Sequence, residues 1–246
     1  GKAEDRKMAQ DGDKKIKTVM RECENQGVDR LENGDGVQDE NQSMNQSRTP
    51  NRNQCAAENS DRVESTSPLV SVIMPVYNGE KYIAQAVQSV YAQNVPLELI
   101  VIDDGSTDRT RAALAPWENR LDFHYVKNEH NLGAAGSRNR GVSMAKGKYV
   151  AFLDADDWWK EGKLTAQLKA LAKTGDVICS TGRDLMTPDG ISTGKYIPVK
   201  SRLDYHELLK HNSINCSSVL LLREVALEFP MEHDDSHEDY ITWLKV

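Results

Sequence analysis

Three apolar, β-branched runs in this chain each stop at a polar turn, and helical spacing fills the intervals between them. Val70-Ser71-Val72-Ile73-Met74 closes at Pro75 and leads into Val76-Tyr77-Asn78-Gly79. Leu97-Glu98-Leu99-Ile100-Val101-Ile102 runs into Asp103-Asp104-Gly105-Ser106, and Tyr149-Val150-Ala151-Phe152-Leu153 into Asp154-Ala155-Asp156-Asp157. Runs of this kind read as buried strands. Ile83, Val87, Val90 and Tyr91 recur at helical spacing and predict a helix over 80–93. Ser106 or Thr107 caps a second helix to about Leu114, Phe123-His124-Tyr125-Val126 adds a strand, and a loop at 131–136 feeds a helix to about Ala145. This alternation predicts an α/β fold with a Rossmann-like, mostly parallel sheet and helices on both faces. Past Thr181 the pattern is mixed, with a turn at Pro188-Asp189-Gly190, a short helix over 203–210 and a strand over 217–222.

Composition divides the chain in two. Residues 1–67 hold no Phe, Trp or Tyr, and only 15 of them are hydrophobic, whereas all fifteen aromatic residues lie in 68–246. So little apolar surface does not offset the entropy of ordering, so 1–67 is expected to be a disordered polar tail and 68–246 the folded domain. Within the tail, the spacing of Ile16, Val19 and Met20 suggests a transient helix. Net charge is −7, which argues against nucleic-acid binding through bulk positive charge. No run approaches the ~20 apolar residues of a membrane-spanning helix. The four cysteines form no CxxC pair and no metal spacing, and no secretory signal opens the sequence. A cytoplasmic compartment with reduced thiols is therefore expected.

In open α/β sheets, ligands bind beyond the carboxyl ends of the strands. Here topology alone brings Pro75–Asn78, Asp103–Ser106 and Asp154–Asp157 to one edge. An isolated Asp-Asp-Gly-Ser reads equally well as a turn with an N-cap. Three such groups, each closing an apolar strand, read as a site. Several carboxylates in one crevice repel one another unless a cation lies among them, and hard oxygen ligands suit Mg²⁺ or Mn²⁺. The inference from the residues is a divalent metal holding a phosphorylated ligand.

Ser71–Asn78, Ile100–Asp108 and Phe152–Asp157 together resemble the inverting family 2 glycosyltransferases of GT-A fold. Asn131-Leu132-Gly133 followed by Ser137-Arg138-Asn139-Arg140-Gly141 fits the same family, and Asn215–Val219 and Glu238-Asp239 resemble its bacterial teichuronic-acid and surface-polysaccharide branch. The resemblance covers about 69–246. It implies transfer of a sugar from a nucleotide donor, a UDP-sugar, to a glycan or lipid-linked acceptor in cell-envelope polysaccharide synthesis, with peripheral association at the inner face of the membrane. Asp104 would hydrogen-bond uracil, Pro75, Val76 and Tyr77 would line the base pocket with Glu80 nearby, and Asp154 would face the ribose and sugar. Asp156 would coordinate the metal between the phosphates, with Asp157 open between support and ligation. Asp239 would be the general base, with Glu238 the fallback.

Other features carry less. His233-Asp234-Asp235-Ser236-His237 contains metal-ligand residue types but reads as a solvated loop. Arg138 reads either as a diphosphate contact or as a surface charge, and Trp158-Trp159 either as a platform for a sugar or as packing. Glu238-Asp239 also suits a helix N-terminus electrostatically. The sequence begins without Met and stops at Val246, seven residues after Asp239, as a fragment would. That feature keeps a binding domain without turnover as an alternative. A nucleotidyltransferase is a second alternative, but it lacks a Gly-rich basic loop after the first strand.

Overall fold

A computed structural model describes residues 17–20, 67–232 and 237–246. In chain order its strands are β1 (Lys17–Met20), β2 (Val70–Val76), β3 (Leu97–Asp103), β4 (Phe123–Lys127), β5 (Tyr149–Phe152), β6 (Trp158–Trp159), β7 (Ile178–Cys179), β8 (Arg183–Met186), β9 (Ser192–Ile197) and β10 (Leu220–Leu222). The helices are α1 (Ile83–Tyr91), α2 (Thr110–Leu114), α3 (Gly133–Met144), α4 (Lys163–Thr174), α5 (Tyr205–Leu208), α6 (Arg223–Glu228) and α7 (Glu238–Lys245).

Six strands form the main sheet in the order β4-β3-β2-β5-β10-β7. The first four are parallel, and β10 runs antiparallel to both β5 and β7. Period-two alternation divides the core between the two faces. Val72 and Met74 of β2 pack with Ile83, Val87 and Val90 of α1 and Leu164 of α4, whereas Ile73 packs with Ala135 and Val142 of α3, Ala226 of α6 and Trp243 of α7. Gly141 is where α3 comes closest to the sheet, because a Cβ there would stand 2.4 Å from Ile73 Cγ2. The parallel register carries the carboxyl ends of β2, β3 and β5 to one edge, which is where ligand chemistry is expected.

The expected α/β architecture is present, with differences at the margins. The first helix is shorter than 80–93, because Asn78 takes a positive φ of 53° and Gly79 through Tyr82 form turns before Ile83. The strand expected over 217–222 is confined to β10, and Cys216–Ser218 coil into a single 3-10 turn capped by Asn215. Lys17–Met20 is a strand, not a helix. It pairs parallel with β6 and antiparallel with β8, completing a second sheet in the order β6-β1-β8-β9. Pairing with two waiting strands overrides the weak helical spacing of a four-residue piece. The remainder of the tail expected over 1–67 lies outside the described residues, apart from Ser67.

Candidate active site

The loop after β2 and the turn after β3 are stitched together by side chains acting on backbone. Asn78 Oδ1 accepts the Thr107 N–H at 2.9 Å, Ser106 Oγ accepts the Asn78 N–H at 2.9 Å, and Thr110 Oγ1 accepts the Gly79 N–H at 2.9 Å. Glu80 and Asp108 exchange places across this seam. Asp108 Oδ2 accepts the Glu80 N–H at 3.0 Å, and Glu80 Oε2 accepts the Arg109 N–H at 2.9 Å, just ahead of α2. Burial acts to raise the Asp108 carboxyl, but hydrogen bonds from Thr110 and from backbone together outweigh it and hold the carboxyl below its ordinary value. Glu80 thus shapes the pocket wall through its carboxylate.

Asp104 is 4% exposed and organises the next wall. Its Oδ1 accepts from Asn128 Nδ2 at 2.6 Å and from the Leu132 N–H at 2.7 Å, and its Oδ2 accepts the Gly133 N–H at 2.9 Å. Gly133, at φ +75°, turns the chain so that this N–H points at the carboxylate as α3 begins. Asp103, its buried neighbour, accepts from the Ser106 N–H and from Tyr125 Oη, so the paired acids serve two different loops.

These walls and the turn after β5 enclose a cleft of about 690 Å³. Pro75, Val76, Tyr77, Glu80, Asp104, Asp154 and Asp156 all line it, so the structure brings together every residue expected on the donor side. Asp154 is held from two directions. Its N–H donates to Ser217 Oγ at 3.0 Å, and its Oδ1 accepts from Arg138 Nη2 at 2.6 Å. Arg138 also donates through Nη1 to Glu238 Oε1 at 2.6 Å. This guanidinium is neither a surface charge nor a lone arm on the helix. It is 4% exposed and supplies a positive charge between two carboxylates. Burial acts to lower its pKa, but Asp154 and Glu238 outweigh that and keep it ionised.

Asp239 follows Glu238 in the first turn of α7 and is half-buried. Burial pushes its carboxyl above the ordinary value, Arg138 opposes this, and the neighbouring Glu238 charge reinforces it. Its Oδ1 accepts from Asn212 Nδ2 at 3.5 Å. Trp243, one helical turn further on, packs on Phe152 with ring centroids 6.5 Å apart, which seats α7 against the end of β5. Asp239 and Glu238 do not line the cleft itself; Arg138 links them to it.

Trp159 is core, not a sugar platform. It is 3% exposed, donates from Nε1 to the Ser217 carbonyl at 2.8 Å, and lies 4.3 Å beneath the buried Lys163 ammonium. Pro188, in the turn between β8 and β9, lines the cleft although it read only as a turn residue. Of the 233–237 segment, residues 233–236 lie outside the described residues. Among the described residues, no group of three or more His, Cys, Asp or Glu side chains is arranged to hold a metal ion. The donor set nevertheless fits a hard cation in the way nucleotide enzymes commonly use one. Asp156, one of the carboxylates lining the cleft, would be completed by ligand phosphate oxygens and water.

The sequence profile described as Glycosyl transferase family 2 matches residues 71–229. The chain belongs to that family. It is 41% identical to TuaG of Bacillus subtilis (strain 168), a glycosyltransferase named for teichuronic acid biosynthesis, over 73% of this chain and 72% of that one. It is 35% identical to the UDP-Glc:alpha-D-GlcNAc-diphosphoundecaprenol beta-1,3-glucosyltransferase WfgD of Escherichia coli, over 72% of this chain and 69% of that one. Among solved structures, S. aureus TarS in complex with UDP-GlcNAc superposes with a TM-score of 0.56 at 21% identity, over 70% of this chain and 51% of that one. The mannosyltransferase PcManGT from Pyrobaculum calidifontis, in complex with GDP-Man and Mn²⁺, gives 0.55 at 24%, over 72% and 51%. At such identities the likeness shows the fold, the GT-A architecture. The chain spans about half the length of these solved structures.

Proposed function

We propose that this family 2 glycosyltransferase moves a sugar from a UDP-sugar to a hydroxyl of a glycan or lipid-linked acceptor, with inversion, during synthesis of a cell-envelope polysaccharide. The observation that carries the proposal is the cleft, where the ends of β2, β3 and β5 present Pro75–Tyr77, Asp104, Asp154 and Asp156 around one cavity. The name of WfgD supports the choice of donor and acceptor class, and that of TuaG the synthesis of an envelope polysaccharide. Among the described residues no helix is long and apolar enough to cross a membrane. A lipid-linked acceptor would present its sugar at the membrane surface.

In this reading Pro75, Val76 and Tyr77 take the base. The carboxylate of Asp104 retains acceptor capacity for the base N–H beside the loop contacts it already makes. Asp154, oriented by Arg138, faces the ribose and sugar. Asp239 accepts the proton of the acceptor hydroxyl as its oxygen bonds to the anomeric carbon, and the bond from that carbon to the diphosphate oxygen breaks. A carboxyl raised by burial is a stronger base than an exposed one, which suits this task. Mn²⁺ or Mg²⁺ held by Asp156 would supply charge neutralisation on the departing diphosphate.

The test is transfer from UDP-glucose and UDP-N-acetylglucosamine to an N-acetylglucosaminyl-diphospho-lipid, with the anomeric configuration of the product read by NMR. Inverted product supports the proposal. UDP binding without turnover would instead mark a binding domain, and a retained configuration would contradict the mechanism.

A further inference from the structure

Three elements far apart in the chain meet at one guanidinium. Arg138 belongs to α3, Asp154 to the turn after β5 and Glu238 to the first turn of α7. The Arg138 side chain is 5% exposed, and those of Asp154 and Glu238 are 33% and 21% exposed. Each carboxylate takes a different terminal nitrogen, both at 2.6 Å, and the buried Nε has no hydrogen-bond partner. Stability alone is a poor reason for such a triad. Buried ion clusters are commonly matched or exceeded by well-packed apolar residues, and an unsatisfied buried donor adds a cost.

What the bridge accomplishes is geometric. Beyond its first turn α7 is held without the bridge, through Trp243 against Phe152. The first turn is tied at two points, by Tyr240 Oη donating to the Leu208 carbonyl and by Arg138, and only Arg138 links it to the donor wall. There the 3.5 Å contact from Asn212 to Asp239 is long, and Glu238 is gripped by Arg138. Arginine suits the task because its planar fork presents two nitrogens in fixed relation, whereas a lysine ammonium is a single point.

We infer that Arg138 is a positioning residue, fixing the first turn of α7, and with it Asp239, relative to Asp154 on the donor wall of the cleft. The kinetic half of this inference rests on the transfer reaction proposed above, and the structural half stands without it.

The experiment uses the full chain with Arg138→Lys, Glu238→Gln and the double variant. Hydrogen exchange reads the amides of α7, and UDP release from UDP-glucose reads turnover. Both single variants should speed exchange of the α7 amides that bond back to its start, Ile241 first, about tenfold or more while leaving β2 and β3 unchanged, as a local opening does. Glu238→Gln should lower kcat about 10²-fold with donor KM within about threefold, since a misplaced base costs rate and not ground-state binding. The double variant should be no worse than Arg138→Lys, because both changes break one bridge. Should Arg138→Lys fail to fold, Glu238→Gln carries both readouts from the other end of the bridge. Unchanged protection of α7 in both single variants, or effects that multiply in the double variant, would overturn the inference. So would lost turnover in Glu238→Gln with α7 still protected, which would place Glu238 in the chemistry itself. If the unaltered chain releases no UDP, the transfer reading fails, and the exchange data alone decide the positioning role.

Discussion

Asp104 accepts the Gly133 N–H at 2.9 Å, so a carboxylate at the end of β3 fixes the first residue of α3. The same group takes Leu132 N–H and Asn128 Nδ2 on its other oxygen. One side chain therefore sets both the floor of the cleft and the start of the helix that carries Arg138.

Asp104→Ala removes an acceptor from three donors, the buried Asn128 amide and the part-buried Leu132 and Gly133 N–H groups. Hydrogen bonds to an ionised group contribute ~1.5–3 kcal/mol each and are not additive, so a loss of about 3 kcal/mol is expected by urea denaturation. Asp104→Asn keeps one acceptor oxygen and should lose less. Equal stability of all three proteins would mean that the loop holds itself.

Gly141→Ala tests the contact between α3 and β2. The added methyl would meet Ile73 Cγ2 at 2.4 Å, and Ile73 is fully buried and branched at Cβ, so it has little room to yield. Overpacking of this kind costs about 1–3 kcal/mol, against a small gain in helix propensity. A lower thermal midpoint is expected, with the donor cleft disturbed through Arg138 one helical turn away. A midpoint at or above that of the unaltered protein would show that α3 can move off the sheet.

Asp239→Asn should separate function from stability. Its carboxyl is raised in the folded state, chiefly by burial, so its contribution to stability is present at low pH and is lost as pH rises through the folded pKa. The asparagine variant removes that penalty and should unfold no lower than the unaltered protein at neutral pH. Turnover should fall about 10²–10⁴-fold with UDP affinity kept. For the same reason the acid limb of the rate profile should lie above the ordinary carboxylate range, because protonated Asp239 cannot take the acceptor's proton. An acid limb at or below that range would contradict the assignment.

The fold was legible because strand patterning and strand-end chemistry coincided at Pro75, Asp104 and Asp154. Each acid follows an apolar run, and parallel topology does the rest. Arg138 lines the cleft, in keeping with one of its two sequence readings, and its burial is what the other reading lacked, although the signal was there. Ala135, Arg138 and Val142 fall on one face of a helix that must cover the sheet, so a charge at 138 had to be buried and partnered. Its partners were not readable, since they come from positions 16 and 100 residues away in sequence. Trp158-Trp159 left its two readings open, because a paired aromatic carries no mark of which face of β6 is inside, and Trp159 proves to be packing. The helical reading of Ile16, Val19 and Met20 failed for a related reason. Four residues hold too little local preference to resist a ladder offered by β6 and β8.

The most direct measurement is a calorimetric titration of UDP into the full chain with Mn²⁺, then with EDTA, beside Asp156→Ala. The account predicts binding that needs the metal and is lost in the variant, with the fold intact by circular dichroism. Binding of equal strength with EDTA, or in Asp156→Ala, would contradict the role given to Asp156. No UDP binding by the folded protein under any of these conditions would contradict the donor assignment itself.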